Sequence, residues 1–335
     1  MSTVTLPAVE SPATPRRHRM VVAVGVVAAL ALLCGVAWVA TRGTELATLR
    51  SPGGVVRAVS FSPDGATLAT AGDGGALTLW DATSYRVSHQ CVVHTGVVHG
   101  VAVSPDSRRL VTAGADHTVR LWDEATGAEV ATLATLTQSV NAVAFSPDGS
   151  VVAAGGADGK LRLWDVESRR QVRLLHGHAK AVRAVAFSPD GTTLATGGED
   201  GVTVLWDRKT GKPLTRWATT GRVHAVAYSP DSRTVATTTT GRGVQLWDTQ
   251  TRQERPKLTG GAGATCVAFS GDGHWLATGH EDGTVKLWDA ADSRAVRTTA
   301  GRSGSVTAVA FAPDGRRVVT AGGDGTVNVW PVPAK

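Results

Sequence analysis

The stretch VRAVAFSPDGTTLATGGEDGVTVLWD, residues 182–207, decides the fold. Apolar residues alternate over 182–187, 193–196 and 202–206, the period of two that gives a strand one buried face. Between the first two runs stands Ser188-Pro189-Asp190-Gly191, where proline presets φ and glycine accepts the left-handed conformation of a tight turn. Glu199-Asp200-Gly201 makes the second hairpin. Three antiparallel strands result, and a fourth, such as 171–175 in the preceding unit, is expected after each Trp-Asp pair.

Working outward, the same unit recurs along the chain. Trp80, Trp122, Trp164, Trp206, Trp247, Trp288 and Trp330 are 42, 42, 42, 41, 41 and 42 residues apart. Nineteen residues before each stands Phe61, Val103, Phe145, Phe187, Tyr228, Phe269 or Phe311. Asp follows the tryptophan in six units, at Asp81, Asp123, Asp165, Asp207, Asp248 and Asp289. Seven units in one internal register are a repeat architecture. With 39 glycines, 5% aromatics and abundant Thr and Val, the composition suits short strands and tight turns.

This pattern resembles the WD-repeat family of β-propellers, and the resemblance covers residues 43–335. It implies an all-β, seven-bladed propeller of four-stranded antiparallel blades. The seventh unit has only four residues after Trp330-Pro331, too few for an outer strand. Gly43-Thr44-Glu45-Leu46-Ala47-Thr48-Leu49 matches the outer strand Gly127-Ala128-Glu129-Val130-Ala131-Thr132-Leu133, so a strand over residues 44–50 is expected to close the ring and remove its open edges.

Ahead of the repeats, residues 20–40 carry no charge and as a helix span about 31 Å, the thickness of a bilayer core. We expect a transmembrane helix over residues 20–41, a signal anchor, behind a short cytoplasmic tail over residues 1–19. Arg16, Arg17 and Arg19 precede the span and only Arg42 follows, which places the N-terminus inside and the propeller outside the plasma membrane. Gly35-Val36-Ala37 also offers a signal-peptidase pattern, but the apolar run exceeds the roughly 7–15 residues of a signal core. Either way the propeller is exported. Richness in Gly, Ala and Val suits a bacterial protein.

Net charge is +6, half of it before residue 43, and no basic stripe interleaved with aromatics points to nucleic acid. Cys34, Cys91 and Cys266 have neither metal-ligand nor paired spacing. The resemblance implies a buried network of His, Ser/Thr, Asp and Trp in each unit, a chain in which every donor finds an acceptor. Two units match it fully: His94, Thr112, Asp116 and Trp122, and His178, Thr196, Asp200 and Trp206. Elsewhere Pro52, Leu136, Thr219, Gly260 and Arg302 replace the His, Ala154 the Thr, and Gly74 and Gly241 the Asp. Such units are expected to leave a buried group unpaired at about 1–3 kcal/mol each. Because the triad-like sets recur around the ring, they read as scaffold and no catalytic residue is assigned.

The resemblance also implies partner contacts at three repeat positions. Four residues before the Phe/Val these are Arg57, His99, Asn141, Arg183, His224, Thr265 and Thr307; Arg222 stands six before, and Glu199 and Glu281 just ahead of the second turn. Arg57, Arg183, Arg222, His99 and His224 suit an acidic peptide or carboxylate, with the two glutamates limiting the choice and the histidines making binding sensitive to pH. The expected function is a membrane-anchored, non-catalytic protein- or peptide-binding scaffold without cofactor or metal. The alternative, a propeller enzyme acting on a small-molecule or cell-wall substrate, needs a metal held by convergent carboxylates or histidines in the channel.

Overall fold

A computed structural model describes residues 45–256, 258, 260–299 and 304–334. Its strands form seven antiparallel sheets in sequence order, spanning residues 56–92, 98–135, 140–176, 182–218, 223–248, 264–299 and 306–331. The first strand of each sheet packs against the first strand of the next, and the seventh returns to the first, so the blades close a ring around those innermost strands. The expected span at 20–41 and the tail before it lie outside the described residues, as does Arg302. Among the described residues no helix is long and apolar enough to cross a membrane.

Ring closure is visible in the register. Strand Ala47–Arg50 lies antiparallel on Thr326–Pro331, with Ala47 opposite Val329, Leu49 opposite Val327 and Arg50 opposite Thr326. Backbone bonds from Leu46 N to Val329 O (2.8 Å) and from Ser51 N to Gly325 O (2.9 Å) extend the pairing at both ends. Thr44, the expected first residue of this strand, lies outside the described residues.

Among the described residues the fifth blade has three strands, Val223–Tyr228, Thr234–Thr239 and Gly243–Asp248, and beyond them a single bridge joins Trp247 and Glu254. Arg255 N still donates to Leu246 O (2.7 Å), but the next residue is Pro256, which has no N–H for a ladder. Leu258 stays buried with Val244 and Leu246, so the blade keeps an apolar plug beyond its third strand.

The core is not one mass but seven seams, each drawn from two adjacent blades. Val111 and Val119 of the second blade pack with Phe145 and Trp164 of the third, and Leu161 and Leu163 of the third pack with Leu194 and Trp206 of the fourth. The last seam joins Leu49, Val327 and Val329 to Phe61 and Trp80. The indole of each repeat thus faces the preceding blade, which is why its spacing governs the ring. Truncating Leu49, 6% exposed, to Ala should cost about 2–4 kcal/mol, whereas Leu46→Ala, at 53% exposure, should change stability by less than about 0.5 kcal/mol. Denaturant midpoints of the two variants check this, and equal midpoints would deny the closing strand its part in the core.

Candidate functional site

All seven innermost strands carry a bulge at the same place. The register shifts between Val56 and Ala58, Val98 and Gly100, Val140 and Ala142, Val182 and Ala184, Val223 and Ala225, Ala264 and Cys266, and Val306 and Ala308. The residue inside each shift is Arg57, His99, Asn141, Arg183, His224, Thr265 or Thr307, so the structure gathers these sequence-selected positions at one end of the innermost strands. A bulge re-aims the side chain it contains, and here it does so seven times around the ring.

These side chains divide into two groups. Asn141 Nδ2 donates to Val182 O of the next blade (3.0 Å), and Thr265 Oγ1 and Thr307 Oγ1 donate to Val306 O and Val56 O in the same relation. Those three clasp blade to blade, which gives Asn141 a structural task that its selection as a partner contact did not anticipate. The other group is held from within its own blade, sixteen residues on. Arg57 bonds Asp73 through Nε (2.9 Å) and Nη2 (3.3 Å), Arg183 bonds Glu199 through Nε (2.7 Å) and Nη2, and His224 Nε2 meets Thr240 Oγ1 (2.9 Å). His99 has Ala115 at that place. Asp73 and Thr240 were missed by sequence reasoning, although the fixed offset of sixteen would have found them.

Burial holds the His99 imidazole below its usual range, and the charges of Arg183 and Arg57 add to the effect. His224 is lowered as well, by burial first, with Glu281 opposing and Arg183 and Arg222 reinforcing. Both rings are therefore neutral at neutral pH. Arg57, Arg183 and Arg222 stand with Asp73, Glu199 and Glu281 among the charged groups at the mouth of the ring. Acidification adds positive charge there through His99 and His224. Among the described residues no group of three or more His, Cys, Asp or Glu is placed to hold a metal ion.

Comparison with known families agrees with this geometry. A profile described as WD domain, G-beta repeat, matches residues 43–81, 86–123 and 293–331. The profile of the IFT122 first beta-propeller matches residues 139–298. The chain is a seven-bladed propeller of WD40 repeats. No curated protein matches it. WD40 propellers are in general non-enzymatic and mediate contacts between proteins, and this fold is typical of interaction scaffolds.

In this WD40 propeller six of the seven repeat indoles donate to a threonine of the second strand, at 2.8–3.0 Å: Trp80 to Thr70, Trp122 to Thr112, Trp206 to Thr196, Trp247 to Thr237, Trp288 to Thr278 and Trp330 to Thr320. In the second blade His94 Nε2 accepts from Thr112 Oγ1 (2.7 Å), and Nδ1 donates to Asp116 (2.8 Å), which fixes the tautomer because the carboxylate only accepts. His178 repeats this with Thr196 (2.8 Å) and Asp200 (3.1 Å). Burial raises the Asp116 carboxyl, but bonds from Thr118 and His94 outweigh it and bring it to about 2. Room for the ring comes from glycine: a Cβ on Gly114 would sit 2.6 Å from His94 Nδ1.

The sixth blade overturns an expectation. Gly260 stands where the imidazole should come from, yet the blade has one. His280 occupies the place of Gly114 and Gly198, accepts at Nε2 from Thr278 (2.9 Å) and donates from Nδ1 to Ala262 O (2.9 Å). The unpaired groups fall elsewhere than on the indoles: the buried atoms without a partner among the described residues are Thr78 Oγ1, Gln245 Oε1, Asn328 Oδ1 and Thr203 Oγ1. The first three stand two residues before the Trp in the first, fifth and seventh blades, which have no His at either network position. In the third blade, with Leu136 and Ala154, Arg162 takes the imidazole's place on Asp158 (2.6 Å).

Burial, as the largest cause, lowers His94, His178 and His280 from the ordinary 6.5. The folded state therefore resists a proton that the unfolded chain accepts, so stability is full above about pH 6.5 and declines as pH falls below it, by up to about 1.4 kcal/mol per pH unit for each ring. Urea unfolding between pH 7 and pH 5 should show a shallower pH slope for His280→Gln than for the parent chain. Identical slopes would mean that His280 is not held neutral.

Proposed function

We propose that this WD40 propeller is a non-catalytic scaffold, tethered to the plasma membrane by residues 20–41 with its N-terminus cytoplasmic, and that it binds a protein or peptide partner outside the cytoplasm. The tether rests on the 21 uncharged residues over 20–40 and on the arginines that precede them. A bacterial origin fits the same composition.

The observation that carries the binding reading is the ring of bulges. An innermost strand needs no bulge to pair with its neighbour, and seven in register turn one side chain per blade to the same end of the ring. Arg57, Arg183, Arg222, His99 and His224, with Glu199 and Glu281, form its polar surface. An acidic side chain of the partner exchanges with Asp73 or Glu199 for an arginine, trading one charge-assisted bond for another. Such an exchange favours specificity over raw affinity.

The chain, expressed whole, should remain in the membrane pellet through an alkaline carbonate wash. Captured from detergent extracts, it should bring down a partner that the Arg57→Ala, Arg183→Ala double variant retains about tenfold less well. Release by carbonate would refute the tether, and undiminished capture by the double variant would move the binding surface away from the ring mouth.

A further inference from the structure

We infer that the outer edge of the third blade receives an extended acidic segment of a partner protein as a fifth strand. The segment's carboxylates meet a basic strip shared with the fourth blade, and its alternate apolar residues meet Val172 and Leu174. This surface lies on the outermost strands, apart from the ring mouth, and does not rest on it.

Positive charge is concentrated here. Residues 160–180 carry six Lys/Arg against two Asp/Glu, and residues 208–216 carry four against none, a surplus of eight in a chain whose whole surplus is six. The remainder of the chain is therefore net acidic. Arg162 and Arg208 are spent on Asp158 (2.6 Å) and Asp148 (2.8 Å). Among the described residues, Arg169, Arg170, Arg173, Lys209, Lys212 and Arg216 form no ion pair, and all but the half-buried Arg173 are exposed. The nearby carboxylates hold their own turns: Asp165 accepts from Ser168 N (2.8 Å) and Oγ (2.7 Å), and Asp207 from Thr210 N (2.6 Å) and Oγ1 (2.7 Å). Glu167 borders the groove on the other side, toward the second blade.

The two blades fix this strip in place. Arg173, on the third blade's outer strand, donates to Lys209 O and to Thr210 O (3.3 Å) in a hairpin of the fourth. Arg216, on the fourth blade's outer strand, donates to Gly177 O (2.6 Å) just past the outer strand of the third. Both guanidiniums thus cross the seam through carbonyls, which orient them without neutralising them. A side chain already held loses little freedom when it meets a carboxylate.

The strand Gln171–His176 supplies the rest of the site. It contains no proline, and among the described residues its outer edge pairs with no strand, so alternate N–H and C=O groups are open to an added chain. Leu174 lies opposite Arg162, two residues before the repeat tryptophan, and at that rung the other outer strands carry Thr48, Gln90, Thr132, Arg216 and Thr298. Among these blades the third alone is apolar there. Leu174 is 41% exposed and Val172 52%. Arg173 and Leu174, as neighbours on a strand, face opposite sides, the arrangement that a segment alternating acidic and apolar residues complements. Trp206 and Trp217 are buried, so the strip offers no ring on which a nucleic-acid base could stack. A lipid surface has no backbone to complete the ladder.

Titration calorimetry of the full chain in neutral detergent, with an end-capped seven-residue peptide alternating valine and glutamate, tests this. We expect one equivalent bound, and binding about tenfold weaker when glutamine replaces the glutamates or when the chain carries Arg170→Glu, Lys209→Glu and Lys212→Glu together. Those three side chains are exposed and make no bond among the described residues, so the blade keeps its fold. N-methylation of one alternate set of peptide amides should abolish binding, and of the other set should leave it. Unchanged binding by the triple variant, or indifference to both methylations, would overturn the assignment. So would tighter binding of a short-chain phosphatidylglycerol at this surface, which would make the partner a lipid. None of these results touches the reading of the ring mouth, which is tested at Arg57 and Arg183.

Discussion

A four-stranded blade has two apolar faces and no means of covering either by itself. Everything in this molecule follows from that constraint. Each blade buries one face on the blade before it and the other on the blade after, and the chain of obligations ends only when the seventh meets the first. The strand Ala47–Arg50 completes the last sheet on Thr326–Pro331 and places Leu49 in the final seam, so the two ends of the repeat array are held by the same ladder that builds every other blade.

Repetition also separates scaffold from function. Positions that repeat faithfully, such as the indole with its threonine hydroxyl, hold the blades. Positions that share a geometry but vary in residue are free of that task, and the ring spends some of them on itself. The bulged position shows the variety: Asn141, Thr265 and Thr307 clasp the next blade, while Arg57, Arg183 and His224 stand braced against a residue of their own. The residue after the Trp-Asp pair varies in the same way, arginine in the fourth blade and alanine in the sixth. A repeat protein is in this sense its own comparison set.

Much of this was legible before any coordinates. The tryptophan spacing fixes blade number and register, and the shortfall after Trp330 points to a strand borrowed from the other end of the repeats. The two complete networks, at His94 and His178, stand where the resemblance puts them. What the sequence hides is of three kinds. His280 sits two residues beyond the network threonine, at a glycine position, and only the packing of Gly114 against His94 reveals that an imidazole can arrive from either side. The arginine braces and blade clasps depend on where a bulge aims a side chain, which spacing does not state. In the fifth blade Pro256 stands one residue past the pairing of Arg255 with Leu246 and removes the next N–H donor.

The closed ring is therefore the claim on which the rest depends, and native-state amide hydrogen exchange tests it most directly. If the ladder between Ala47–Arg50 and Thr326–Pro331 is an integral part of the ring, the amides of Leu46 and Ser51, which bond Val329 and Gly325, open only with the free energy that releases the innermost strands. Exchange of those two amides at a much lower free energy, with the innermost strands still protected, would contradict it.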